Sequence, residues 1–293
     1  MMLAKKGVDA QGIVFLVGLS LLLAFNQIVI KVTNQGFQPV FAAGIRSLGG
    51  LLIVWAWMYW RGIPIVLARR VLLPGLCLGL LFSFEFFCLF LALDFTSVAR
   101  ASILFYSMPI WLAIGAHFLL PNERLTMQRS AGLLIAMAGV IWVLADHKAA
   151  TETRIWGDIL ALAGALGWAS LALCVRLTAL SSEKPEAQLF IQLLISAPIL
   201  LMLAPFFGPS LRQPELVHVL GLSFQIVAIA GFAFAFWFWL IKVYKASSVA
   251  SFSFLSPVFS VVFGWILLGE ALNATVILSL GLVTIGLILV NRR

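Results

Sequence analysis

Charge is what this chain has least of. Of its 293 residues only 10% are charged, where a soluble domain carries roughly 25%. Cysteine is nearly absent too. Cys77, Cys88 and Cys174 all fall in apolar runs, so no disulfide framework is expected. His117, His147 and His218 are scattered, and neither HxxxH nor CxxC spacing occurs; the expectation is no metal site and no cofactor. No Walker glycine loop is present, so ATP is not expected to act here. No acid, base and nucleophile cluster together, which argues against an enzyme. Polar stretches are missing as well. The one long polar segment is Ala145–Arg154, and nothing is left over for a soluble catalytic domain.

What is there instead is hydrocarbon: 63% of the residues are hydrophobic. Apolar runs suited to membrane spans fall at 12–31, 38–60, 71–93, 97–120, 127–145, 155–177, 187–207, 217–241, 247–268 and 273–291. Each is near the ~20 residues that cross ~30 Å of hydrocarbon. The expected fold is an all-α membrane protein of ten transmembrane helices. The net charge of +8 follows topology rather than an anionic partner. With both termini cytoplasmic, thirteen Lys and Arg fall on the inner side, five on the outer, and Arg46 stays within a span. That is the positive-inside bias. It places the chain in the cell inner (plasma) membrane, in lipid, with no nucleic-acid partner.

The sequence also repeats itself. Gly12, Ala24 and Lys31 recur as Gly157, Ala169 and Arg176, and Pro39 recurs as Pro185. Pro109 and Leu119-Leu120 recur as Pro257 and Leu267-Leu268; Glu123 and Gly139 recur as Glu270 and Gly286. Each half, 1–148 and 149–293, holds five spans, and five is odd. The second half is therefore expected to enter the bilayer from the opposite side. Two inverted five-helix repeats around a central cavity are a transporter architecture.

Local signatures sharpen this reading: Pro39-x-Phe41-Ala42-Ala43-x-x-Arg46, Tyr106-Ser107-Met108-Pro109, Leu255-Ser256-Pro257-Val258-Phe259, Leu119-Leu120-Pro121-Asn122-Glu123 and Leu267-Leu268-Gly269-Glu270. Together they resemble the drug/metabolite transporter superfamily, specifically its EamA-type ten-helix members. Among these the aromatic-rich chain is most similar to the YddG-type amino-acid exporters. The resemblance implies a cavity lined by spans 1, 3, 4, 6, 8 and 9, with spans 5 and 10 peripheral. It also exposes a departure. Small multidrug-resistance relatives carry an essential carboxylate in their first helix, whereas spans 1 and 6 here offer Asn26, Gln27, Trp168 and Ser170.

Charge inside the membrane marks function. Arg46 and Glu85 sit at similar depth from the outer side, with opposite sign, which predicts that they pair. Glu85 is then a gate latch, a proton-titrating group or a seat for a substrate amino group. Pro109 and Pro257 each free a carbonyl and are candidate hinges. Ser253, Ser256 and Ser260 share one helical face; Ser102, Tyr106 and Pro109 share another. The candidate cavity is Asn26, Glu85, Tyr106, Ser107, Trp168, Ser170, Ser253, Ser256 and Trp237. Lys31 and Arg176 are expected as anchors at opposite membrane faces. Trp55, Trp57, Tyr59 and Trp60 read as an interfacial belt.

The function expected is secondary export of amino acids, aromatic and other neutral ones, and of related small metabolites. The mechanism is alternating access by a monomer. The alternative is a proton-coupled multidrug exporter on the same fold.

Overall fold

Lipid cannot hydrogen-bond a backbone, so an apolar chain of this kind must satisfy its own amides within helices. The computed structural model is built that way. It describes residues 9–65, 68–120, 125–145, 152–233, 236, 239–240, 243–244 and 255–291. Helices α1 (Ala10–Gly36), α2 (Pro39–Trp60), α3 (Arg69–Phe95), α4 (Val98–Phe105), α5 (Met108–Leu119) and α6 (Met127–Ala145) make the first half. Helices α7 (Glu152–Leu177), α8 (Pro185–Leu203), α9 (Leu216–Phe224), α10 (Leu255–Leu268) and α11 (Ala274–Asn291) make the second. A π-helical stretch, Gln225–Ala233, continues α9.

Among the described residues, eight helical stretches are long and apolar enough to cross a membrane, α4 with α5 counting as one of them. Leu255–Leu268 and Ala274–Val290 are shorter apolar helices. The expected ten spans thus meet eight long stretches and two shorter ones. The chain is a multi-pass membrane protein, and its outer surface shows it: Leu73, Leu134 and Val14 stand exposed. Trp55, Trp57, Tyr59 and Trp60 are exposed at the end of α2, where the belt was expected.

Helix starts follow local chemistry. Pro39 and Pro185, repeat mates, each open a helix at its first turn, where a missing N–H matters least. Asp9 caps α1 by accepting from Gly12 N at 2.8 Å, and Ser97 caps α4 by accepting from Arg100 N at 3.2 Å. Span 4 is broken at Tyr106 and Ser107. Pro109 cannot donate back to Phe105, and the ladder tightens into a turn in which Ser107 N donates to Leu104 O at 3.2 Å.

Packing depends on small residues, as close contacts in lipid do. Gly75 and Gly79 of α3 seat Ile191 and Ile195 of α8. Gly167 of α7 lies 3.5 Å, measured from a built Cβ, from the Glu85 Cα. Helices α6 and α11, the expected peripheral spans 5 and 10, pack against one another. Gly139 and its repeat mate Gly286 both lie in that contact.

A Cβ added at Gly132 would stand 2.8 Å from the Gly286 carbonyl oxygen, a backbone atom with nowhere to go. Gly132→Ala should therefore cost about 1–3 kcal/mol of stability, seen as a lower melting temperature in detergent. Gly281→Ala, facing open space, should melt at or above the wild-type temperature. Equal melting of the two variants would contradict the contact.

Candidate functional site

One large cavity of about 580 Å³ runs into the bundle. Its position can be followed along each helix. On α1 it is lined from Leu16 to Gln27, and beyond that the helix is sealed. On α3 it takes Phe82, Glu85, Phe86 and Leu89. On α7 it takes Trp168, Leu171 and Arg176, and on α8 it takes Pro185, Gln188, Leu189 and Gln192. Arg176 is exposed, and Arg129 and Pro185 are half-buried. The cavity therefore opens at the end holding the start of α1 and the end of α7. It stops short of the opposite end.

That opposite end is closed by polar contacts. Lys31 of α1 donates to the carbonyls of Leu93 at 3.0 Å and Thr96 at 2.6 Å, capping the end of α3. Arg100 of α4 forks onto Asp158 of α7, with Nε within 3.2 Å of both carboxylate oxygens and Nη2 bonded to Oδ2. Both partners of this ion pair are buried. Thr96 Oγ1 donates to Asp158 Oδ1 at 2.9 Å. Glu270 accepts from Val98 N at 2.6 Å and Ala99 N at 3.0 Å, capping α4 across the two halves. An anion at a helix N-terminus answers both the free N–H groups and the helix dipole. Arg212, in the loop before α9, bonds both oxygens of Asp94 at 3.0 Å and the Asn34 carbonyl at 3.2 Å. The strand-like bridge Phe37–Leu211 straps the same loop down.

The cavity walls combine rings with a few polar groups. Phe105 and Trp168 stack with centroids 5.2 Å apart and planes 20° apart. Tyr106 meets Trp168 edge-on at 6.2 Å. Its hydroxyl faces Gln27 and Ser256. Phe82 and Phe86 lie one turn apart on the inward face of α3, while Phe84 points out. The Arg46 guanidinium lies 4.1 Å above the Phe86 ring. Ile229 and Ala233 of the π-helical stretch also reach the wall.

Of the residues expected at the cavity, Asn26, Glu85, Tyr106, Trp168 and Ser256 line it. Two do not. Ser107 is buried beside it, donating to the Leu104 carbonyl and accepting from Trp111 Nε1 at 3.1 Å, because the break at Tyr106 turns it away. Ser170 is exposed, two residues past Trp168 and so on another face of α7. Ser253 and Trp237 lie outside the described residues. Pro109 lines the cavity next to the break it causes. Pro257 is buried in the first turn of the described α10 and does not line the cavity. Arg46 and Glu85 share the cavity and feel one another's charge. Among the described residues, however, no N···O contact within 4.0 Å joins them; Arg46 rests on the Phe86 ring instead. Lys31 is not a snorkelling anchor, since its ammonium turns inward to cap α3. Arg176, its repeat mate, sits at the mouth of the cavity.

The closure residues were missed by sequence reading, although a signal existed. Arg100 and Asp158 both fall inside expected spans, where a charge is costly unless paired. Glu270 was noticed as a repeat, without its capping role. Among the described residues no cluster of three potential metal ligands occurs.

The chain matches the EamA-like transporter family twice, over residues 10–145 and 155–292, and it belongs to that family. It is a transporter, not an enzyme. An uncharacterized transporter of Bacillus subtilis strain 168, YoaV, is 22% identical, aligning over 93% of this chain and 94% of its own. A probable amino-acid metabolite efflux pump of Escherichia coli K12 is 25% identical, over 97% and 93% respectively. A crystal structure of a protein 20% identical in sequence covers 94% of each chain with a TM-score of 0.66. That likeness shows the shared fold.

Removing Asp158 alone would leave Arg100 buried and unpaired. Asp158→Ala should cost about 3–5 kcal/mol, seen as a lower melting temperature in detergent. Arg100→Met with Asp158→Leu should recover most of that loss. A single variant as stable as wild type would show that the pair does not hold the closed end.

Proposed function

We propose that the protein is a secondary transporter that exports amino acids, aromatic and other neutral ones, together with related small metabolites. The observation that carries this reading is the large cavity, open at one end of the bundle and closed at the other by polar contacts. Its volume of about 580 Å³ lies within the roughly 300–1,000 Å³ typical of small-molecule sites. The Phe105–Trp168 stack with Tyr106 makes an aromatic wall against which an aromatic side chain can lie. Mostly apolar walls favour broad selectivity. The name of the Escherichia coli relative points the same way.

Orientation follows from charge. The positive-inside bias puts both termini in the cytoplasm of a cell whose inner membrane holds the chain. The cavity mouth, with Arg129 and Arg176, then faces the cytoplasm, and this is the loading state of an exporter. Lys31 near the end of α1 and Asp158 near the start of α7 lie at the same closed end. Corresponding helices of the two halves thus run in opposite directions, which supports an inverted repeat. Rocking of the halves would open the closed end and shut the mouth, with span 4 bending at the break before Pro109. The cavity is enclosed by helices of one chain, which suits a monomer driven by its substrate gradient rather than by ATP.

A second reading has one observation in its favour. Glu85 is a buried carboxyl on the cavity wall, and such a group can carry a proton through a transport cycle. A proton-coupled multidrug exporter would use it so.

Counterflow in proteoliposomes separates the two. With unlabelled phenylalanine inside and no ion gradient, labelled phenylalanine outside should accumulate transiently and saturably. No accumulation, with drug uptake appearing only under a pH gradient, would favour the second reading. Within the first reading, Trp168→Ala should raise KM for aromatic amino acids about 2- to 10-fold, as loss of one ring contact implies, and change KM for alanine less. An equal change for both would remove the aromatic wall from the account.

A further inference from the structure

Among the described residues Arg46 is the largest fully buried side chain, 2% exposed. Its Nε and Nη1 have no hydrogen-bond partner. Glu85 is 5% exposed, and no ion pair satisfies it among the described residues. A buried charge left unpaired is costly, and here two of opposite sign line one cavity without touching. The protein fixes them apart. The Phe86 ring holds the guanidinium from below, and Gly167 lets α7 press against the backbone of Glu85. Two acceptors on residues lining the same cavity are also unpartnered: Asn26 Oδ1 and Gln27 Oε1.

We propose that Arg46 and Glu85 are the two poles of a zwitterion site, Arg46 receiving the substrate carboxylate and Glu85 its ammonium. This rests on the reading of the chain as an amino-acid transporter and assigns the ends of the substrate within it. A guanidinium presents a fork that matches a carboxylate. An ammonium has three protons to donate, and Glu85, Asn26 and Gln27 supply the acceptors. The pair and the zwitterion are each neutral overall, so loading adds no net charge to the cavity. An anion alone would leave Glu85 unanswered, and a cation alone would leave Arg46 so.

The second half gives the site a direction. By repeat correspondence Arg46 aligns with Gln192 and Glu85 with about Ala233. Both line the same cavity, without charge. The charged end of the substrate is therefore held by the first half, from α2 and α3. Its side chain is left to the apolar remainder, where selectivity is broad.

The test is competition against labelled phenylalanine in the counterflow assay, using phenylalanine, phenylalanine amide and N-acetylphenylalanine. The amide lacks the carboxylate charge, and the acetyl derivative lacks the ammonium. Each should compete about 10- to 100-fold more weakly than the parent, the loss expected when one charge-assisted hydrogen-bond set is removed. Arg46→Gln should narrow the gap between parent and amide, and Glu85→Gln the gap between parent and acetyl derivative. A merely structural role would not produce that crossed pattern. Equal inhibition by all three compounds in the wild-type protein would overturn the assignment while leaving amino-acid transport intact, and it needs no variant to fold. Uniform loss of all three in both variants, with wild-type gaps unchanged, would count against it equally. Absence of any amino-acid exchange by the wild type would overturn the transport reading itself, and this assignment with it.

Discussion

A polar group surrounded by hydrocarbon must find a partner or a wet cavity, and that constraint accounts for where the charged side chains of the closed end and the cavity sit. At the closed end partners are found. Lys31 satisfies the carbonyls that end α3, Glu270 satisfies the amides that begin α4, and Arg100 and Asp158 satisfy each other. In the cavity some are bonded, as Ser20 and Gln188 are, and others are not. Asn26, Gln27 and Arg46 keep buried atoms without partners, and all three line the same space. The charged groups divide: Lys31, Arg100, Asp158 and Glu270 are bonded at the closed end, while Arg46 and Glu85 stand in the cavity with no ion-pair contact among the described residues. A transporter that holds substrate at its midplane needs that division.

In the alternating access proposed above, the closed end is also the part that must come apart. Its contacts cross between the halves: Glu270 to α4, Asp158 to Arg100, Arg212 to Asp94. Each is a charged group bonded to a helix end or to an opposite charge. Such contacts can be exchanged for water when the end opens, whereas an apolar seal has no favourable wet state. The glycine-lined contacts between α3 and α8, and between α6 and α11, have no such alternative. They too cross between the halves, and they are suited to be the fulcrum about which the halves rock.

Much of this was legible in the sequence. Run length gave the membrane character, and Pro39 marked the start of its span; the Pro185 start was placed two residues late, at 187. Depth counting brought Arg46 and Glu85 to one cavity, because a helix rises a constant 1.5 Å per residue. What depth cannot give is rotation and reach. Arg46 and Glu85 share a level yet do not touch, since a ring lies under the guanidinium. Ser170 sits two residues from Trp168 and faces elsewhere. Ser107 was displaced by the very break that Pro109 announces. Lys31 looked like an interfacial anchor because its position near a helix end is compatible with either role; only the neighbouring end of α3 decides. The π-helical stretch has no composition signal, and without it the placement of Ile229 and Ala233 on the cavity wall could not be read.

The central claim is that the cavity is wet and continuous with one side of the membrane. Leu89 lies deep on the cavity wall. A single cysteine there, with Cys77, Cys88 and Cys174 replaced by alanine, should react with a membrane-impermeant thiol reagent in inside-out vesicles. The same reagent should react far more slowly in right-side-out vesicles. No reaction from either side, or reaction from the outside alone, would contradict the account.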